Sequence, residues 1–259
     1  MTLPLPAVGL GTMGLDGDDG VDAVETALDL GYRHLDTAQV YRNEAIVGAG
    51  LARADAARED VTVATKTWTD RLAPADVRPS TEASLEALGL RRLDLLYVHR
   101  PTGGYEPAGT LAAYDDLVDD GLVDHVGVSN FEAAELDEAM ALLDAPIAAH
   151  QTEFHPLYRR PELREHAVDH GYTLVAYSPL AGGRVRDLGP VRAVAEKHDT
   201  TPEAVSIAWV TGKEGVVTIP KASSERHLRA NLAAASLELD DEDEARIDAI
   251  DREQELFPE

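Results

Sequence analysis

Val61-Thr62-Val63-Ala64-Thr65-Lys66 and Leu93-Asp94-Leu95-Leu96-Tyr97-Val98-His99 are short β-branched or Leu-rich runs, each ending in a proton-active side chain. Runs of this kind read as strands. A third, 33–36, ends at Asp36 and continues as Asp36-Thr37-Ala38-Gln39-Val40-Tyr41. A parallel barrel places its chemistry at the carboxyl ends of successive strands. Asp36, Tyr41, Lys66 and His99 are therefore expected to converge as a catalytic group. A free phenol, with a pKa near ~10, is a poor acid at neutral pH. An ammonium at Lys66, held by Asp36, is expected to favour the phenolate and lower that value. The chemistry this group suits is proton transfer.

The rest of the chain extends the pattern. Strands are expected at 7–11, 33–36, 62–66, 93–99, 125–129, 148–153, 173–177 and 216–219. Between them, apolar residues recur at helical spacing over 21–30, 77–88, 111–118, 136–143, 163–168, 205–210 and 228–235. Asp240 reads as the cap of a last helix, its short carboxylate accepting from free N–H groups. Alternating strands and helices imply βαβ units and a parallel sheet. Eight such units make a (β/α)8 TIM barrel. No linker or composition break divides residues 1–259, so one barrel domain is expected.

Composition bounds the setting. The chain has no cysteine, which excludes a disulfide framework or a thiolate metal site. No apolar run approaches a membrane span, and Met1-Thr2-Leu3-Pro4-Leu5-Pro6 lacks a basic signal-peptide start. A cytoplasmic protein without membrane attachment is expected. The formal charge is −25, and lysine occurs only at 66, 197, 213 and 221. Such a field repels nucleic acid. Its acids are dispersed among apolar positions rather than gathered into a tail, which suits a halophilic host with molar internal salt.

Two motifs are decoys. Gly9-Leu10-Gly11-Thr12-Met13-Gly14 matches the dinucleotide fingerprint G-x-G-x-x-G. That motif requires a helix opening at the glycines, whereas Asp16-Gly17-Asp18-Asp19-Gly20 follows here and would repel phosphate. His150-Gln151-Thr152-Glu153-Phe154-His155 offers two imidazoles and a carboxylate. Strand alternation turns His150 away from the other two, leaving fewer ligands than a catalytic zinc needs. No metal is expected.

Around the catalytic group, Gly31-Tyr32-Arg33-His34-Leu35-Asp36-Thr37-Ala38-Gln39-Val40-Tyr41-Arg42-Asn43-Glu44 resembles the signature of the aldo-keto reductase family. Ala64-Thr65-Lys66-Thr67-Trp68, Val98-His99-Arg100-Pro101 and Gly127-Val128-Ser129-Asn130-Phe131 match in order. Gln151-Thr152-Glu153-Phe154-His155-Pro156, Tyr177-Ser178-Pro179-Leu180 and Ile219-Pro220-Lys221 follow. The match runs from about residue 8 to the end of the chain, and the branch it resembles is the short prokaryotic one of 2,5-diketogluconate and methylglyoxal reductases. The resemblance implies NADPH-dependent reduction of aldehydes and ketones on the barrel, with NADH as a possible substitute. Tyr41 would be the general acid, Lys66 and Asp36 its tuning pair, and His99 the group that orients and polarises the carbonyl oxygen. Ser129, Asn130 and Gln151 would hold the nicotinamide carboxamide, Tyr177 would stack on its ring, and Ser178 and Leu180 would line the pyrophosphate loop. Thr12, Asp36 and Pro220 would also belong to the cofactor site. Lys221, Ser223, Ser224 and His227 would surround the 2′-phosphate, and Asn231 would meet adenine.

Departures narrow the expectation. Ala222 and His227 stand where the family usually carries Ser and Arg, with Arg226 and Arg229 flanking. Met13 replaces a common aromatic wall, and Arg100 replaces the Trp that usually follows the catalytic His. Met13, Tyr41, Trp68, His99 and Arg100 are the expected substrate residues. The chain ends soon after its last helix, at Phe257-Pro258-Glu259, so an open mouth and small or polar carbonyls are expected. A monomer is expected. The alternative is a cofactor-binding regulatory barrel subunit without significant turnover, against which the intact set of four catalytic residues argues.

Overall fold

The computed structural model describes residues 3–258. Met1, Thr2 and Glu259, which enter the reading of the chain ends, lie outside the described residues. The strands are β1 Leu10–Gly11, β2 His34–Asp36, β3 Thr62–Thr67 and β4 Leu95–Val98, then β5 Val126–Ser129, β6 Ile147–Glu153, β7 Thr173–Tyr177 and β8 Val216–Thr218. They form one eight-stranded sheet in chain order, every neighbouring pair parallel. Parallel bridges Val8↔Thr218 and Gly11↔Lys221 join its two edges. Gly9 N–H donates to Thr218 O at 2.8 Å, and Thr218 N–H to Ala7 O at 2.9 Å. The fold is the expected (β/α)8 barrel.

The helices are α1 Gly17–Asp29, α2 Glu44–Arg53, α3 Pro74–Leu88, α4 Pro107–Asp119 and α5 Ala133–Leu142. Then come α6 Pro161–His170, α7 Gly189–Lys197, α8 Pro202–Thr211, α9 Glu225–Ala234 and α10 Asp241–Asp248. Proline opens α3, α4, α6 and α8, where its missing N–H leaves no intrahelical bond unmade. Asp240 caps α10 as expected, accepting from Asp243 N–H at 3.0 Å. Helices α2 and α7 were not foreseen, and the β7–β8 crossover therefore carries both α7 and α8.

Two apolar layers hold this together. The outer one lies between sheet and helices, with Leu35, Val63, Leu96 and Val128 from the strands meeting helix residues such as Leu28 and Leu85. The inner one fills the barrel with Leu95, Tyr97, Val175 and Val217, and Leu3 packs against it. The interior is thus a solid support for side chains at the carboxyl ends of the strands.

Candidate active site

Asp36 ends β2, Lys66 lies one residue before the end of β3, and His99 follows β4 directly. Tyr41 sits in a single 3-10 turn, Gln39–Tyr41, closed by Arg42 in the left-handed region at φ 55°. The four residues meet at one end of the barrel. The Lys66 ammonium donates to Asp36 Oδ1 and, at 2.8 Å, to Thr37 O. Gln151 Nε2 donates to Asp36 Oδ2 at 2.7 Å from across the barrel. Both members of the ion pair are buried. Lys66 Nζ lies 5.4 Å from the Tyr41 ring centroid, and the Tyr41 and His99 rings meet edge-on at 6.2 Å.

The electrostatics correct one expectation. Burial is the largest influence on Tyr41 and raises its pKa, with Asp36 adding to the rise while Lys66 and Arg100 pull the other way. Lys66 acts in the expected direction but is outweighed, so the resting phenol keeps its proton. Burial likewise pushes His99 down to about 2, helped by the charges of Lys66 and Arg100. Its imidazole is neutral throughout the physiological range. A protonated phenol beside a neutral imidazole can hold a carbonyl oxygen and deliver a proton to it.

These residues line a cavity of about 410 Å3, within the range of small-molecule sites. Thr12, Met13, Trp68 and Arg100 line it with Asp36, Tyr41 and His99. So do Ser129, Asn130 and Gln151, Tyr177, Ser178 and Leu180, and Pro220 and Lys221. Lys66 lies beneath, fully buried. Ser223, Ser224 and His227 are exposed at the start of α9, and Asn231 is buried further along it. None of these four borders the cavity. Trp68 stands edge-on to His99 at 4.9 Å, and its backbone N–H is held by Gln39 Oε1 at 3.0 Å.

Asn130 ties the strand ends together. In the left-handed region at φ 59°, which asparagine tolerates, it donates to His99 O and Ser129 Oγ, both at 3.0 Å. Its own Oδ1 accepts from the Tyr177 hydroxyl at 2.9 Å. The amides of Asn130 and Gln151 thus hold other site residues as well as lining the cavity.

The open mouth expected from the short C-terminus is partly closed. Glu153 is buried, and its two carboxylate oxygens accept from Leu256 N–H at 2.7 Å and Phe257 N–H at 3.1 Å. Gln254 N–H adds a bond to Leu157 O at 2.7 Å. These bonds set Phe257 on the cavity wall, edge-on to Tyr177 at 5.9 Å. No side-chain pattern could have signalled this closure, because the bonds are made by backbone N–H groups.

Gly182 and Gly183 also line the cavity and were not foreseen. Ala181, Gly182 and Gly183 are successive left-handed residues, with φ 49°, 61° and 88°. The two glycines bring main chain to the wall with no side chain in the way. The Ala181-Gly182-Gly183 run just after β7 was the available signal. Both decoy motifs have structural roles. A Cβ on Gly11 would meet Ile219 O at 2.4 Å, so that glycine serves the β1–β8 closure. His155 Nε2 pairs with Glu153 at 2.8 Å, while His150 Nε2 accepts from Phe131 N–H at 3.3 Å.

A closed parallel barrel with a phenol, a buried ammonium–carboxylate pair and a neutral imidazole in one cavity defines a barrel carbonyl reductase. The chain belongs to the aldo/keto reductase family, whose family model matches residues 7–252. It is 35% identical over 252 residues to a methylglyoxal reductase of Escherichia coli O157:H7, covering 96% of this chain and 94% of that protein. It is 34% identical over 255 residues to a glyoxal reductase of Bacillus subtilis (strain 168), covering 98% and 92%. The crystal structure of an aldo-keto reductase from a Medee basin deep-sea metagenome library superposes with a TM-score of 0.94 at 30% identity, covering 99% and 95%. The protein is an oxidoreductase that reduces carbonyl groups to alcohols with a nicotinamide cofactor. The regulatory alternative finds no support in these relatives. Among the described residues, no helix is long and apolar enough to cross a membrane.

Proposed function

We propose that this enzyme reduces small, polar carbonyl compounds of the α-oxoaldehyde type, with NADPH preferred to NADH and Tyr41 as the proton donor. The observation that carries carbonyl reduction with Tyr41 as donor is the buried Asp36–Lys66 pair, its Lys66 Nζ 5.4 Å from the Tyr41 ring centroid, in one site with neutral His99. The residue set fits a nicotinamide dinucleotide: Tyr177, with a ring that can stack, Gly182 and Gly183, with main chain free of side chains, and Lys221, with an ammonium, all border the cavity. When bound, that cofactor supplies the hydride. Tyr41 gives its proton to the carbonyl oxygen as negative charge develops there. Lys66 stabilises the phenolate left behind, and Asp36 holds Lys66 in place. His99, being neutral, positions the oxygen without competing as an acid. Ser129, Asn130 and Gln151 are assigned to the nicotinamide carboxamide, and Thr12 and Pro220 to the wall beside it.

The substrate class is drawn from the E. coli and B. subtilis relatives, named for methylglyoxal and glyoxal. Of the cavity's lining residues, apolar Phe257, Trp68 and Met13 and charged Arg100 are assigned to the substrate. A cytoplasmic monomer is proposed, to be checked by cell fractionation and sedimentation. The central test is NADPH oxidation with methylglyoxal for the wild type and Tyr41→Phe. The variant should lose at least ~100-fold in kcat, within the range of general acid catalysis, and still bind cofactor. A variant keeping a quarter of the activity would assign the proton to another group.

A further inference from the structure

We propose that Asp137, His166 and His170 form a site for one divalent transition-metal ion of the zinc type, clipping α5 to α6 on the outside of the barrel. One ligand-type atom from each of the three lies within 4.8 Å of the other two. His166 and His170 are one helical turn apart on α6, and Asp137 faces them from α5. The expectation of no metal rested on residues 150–155 and does not extend to this surface. The pair at 166 and 170 has i,i+4 spacing in the sequence, but its third ligand comes from another helix.

The second bond of each imidazole supports the assignment. His170 Nδ1 lies 2.9 Å from His166 O. A carbonyl only accepts, so this nitrogen carries a proton and Nε2 keeps its lone pair for a metal. His166 Nε2 lies 3.1 Å from Asp137 Oδ1, and its Nδ1 meets the Tyr172 hydroxyl at 2.8 Å. A metal on Nε2 would leave Nδ1 protonated and donating to Tyr172. Metal-binding histidines are commonly oriented this way, through a hydrogen bond from the other nitrogen.

The ligand set also argues for the class of ion. Two imidazoles and one carboxylate suit zinc, nickel or copper, whereas all-oxygen sites suit magnesium or calcium. Three protein ligands leave the remaining position to water. The two rings stack at 4.1 Å with planes 23° apart, so His170 must rotate to aim Nε2 at a shared ion. That rotation exchanges the Nδ1 bond to His166 O for water, which an exposed side chain on the last turn of α6 can reach. None of the three residues borders the catalytic cavity.

The test is calorimetric titration of the untagged chain with ZnCl2, in excess Mg2+ to occupy carboxylate-only sites. Wild type should bind one zinc per chain. Tyr172→Phe should weaken binding about 10-fold, the lower end of the effect of losing an orienting partner. Asp137→Asn and His170→Ala each remove a ligand and should weaken it more. Zinc should raise the melting temperature of wild type and not of His170→Ala, while methylglyoxal reduction stays unchanged in every variant. No zinc uptake by wild type, or uptake that ignores both His170→Ala and Asp137→Asn, overturns the proposal.

Discussion

Gln151 Nε2 donates to Asp36 Oδ2 at 2.7 Å, so the carboxylate that holds Lys66 is itself held from the opposite side of the barrel. Asp36 therefore has little freedom to follow a change at Lys66. Replacing Lys66 by Met leaves a buried carboxylate with an amide as its remaining side-chain partner. Loss of one member of a buried ion pair costs about 3–5 kcal/mol. Lys66→Met should show a loss of this size in urea unfolding, and adding Asp36→Asn should restore part of it. A double variant less stable than Lys66→Met would contradict the account.

Acid should weaken the fold before most carboxylates titrate. Burial is the main cause pushing His34 down to about 4, His99 to about 2 and His150 to about 3. In the unfolded chain each returns to ~6.5. As pH falls through that value the unfolded state takes up protons first. The contribution of neutral burial is therefore complete above pH ~6.5 and is lost progressively toward the folded values. Each histidine removes about 1.4 kcal/mol per pH unit in that window. Urea unfolding in molar KCl should show the decline between pH 7.5 and 5.5, a range of about one unit either side of the unfolded value. Equal stability at the two pH values would rule it out.

Cofactor preference should be modest and easily moved. At the start of α9, Ser224 caps the helix, and Arg226 Nη2 donates to His227 Nε2 at 3.1 Å. Arg229 donates to Glu225 Oε1 at 3.0 and 2.7 Å. That exposed i,i+4 pair is worth only about 0.2–0.5 kcal/mol, so a phosphate can compete for the guanidinium. NADPH should bind better than NADH, and Glu225→Gln should increase the margin. His227→Arg should widen it by roughly 1.5–3 kcal/mol if one charge-assisted bond is gained. Equal Michaelis constants for the two cofactors, unmoved by His227→Arg, would reject this assignment.

The formal charge of −25 should make stability depend on salt. Lys66, Lys197 and Lys213 are already in ion pairs with Asp36, with Asp240 and Asp243, and with Glu244 and Asp248. Arginines pair further carboxylates, but 23 Lys and Arg cannot match 48 Asp and Glu one to one, so the excess must be screened by mobile ions, and the screening length falls to ~3 Å at 1 M. The melting temperature should rise from low to multi-molar KCl. A midpoint that stayed flat or fell would count against adaptation to salt.

The strands were legible because parallel barrel strands are buried on both faces and read as continuous apolar runs. Asp36, Lys66 and His99 were legible because they sit at the ends of those runs. Helix α2 was not, since Gly48 and Gly50 weaken its pattern. A Cβ on Gly48 would meet Leu88 O at 2.4 Å, so packing against α3 demands what helix propensity disfavours. Phe257 and the cluster at Asp137, His166 and His170 were hidden for another reason. Each depends on segments that only the tertiary fold brings together.

Discrimination by substrate charge turns on Arg100. This residue is half-buried on the cavity wall. In His99, Tyr41 and Tyr177 burial is the largest influence, and the positive charge of Arg100 acts on all three in the lowering direction. Its field therefore reaches the place where a carbonyl oxygen would sit. A guanidinium can pair a carboxylate with two N–H groups, so an oxo-acid should be favoured over its neutral ester or amide. Phe257 narrows the same wall, which disfavours large hydrophobic ketones such as steroids. The competing arrangement has Arg100 turned outward into the acidic surface. Comparing an oxo-acid with its amide in wild type and Arg100→Trp separates the two. Arg100→Trp should raise KM for the acid and leave the amide nearly unchanged. If wild type showed no preference for the charged form and the variant changed both substrates alike, Arg100 would have no part in recognition.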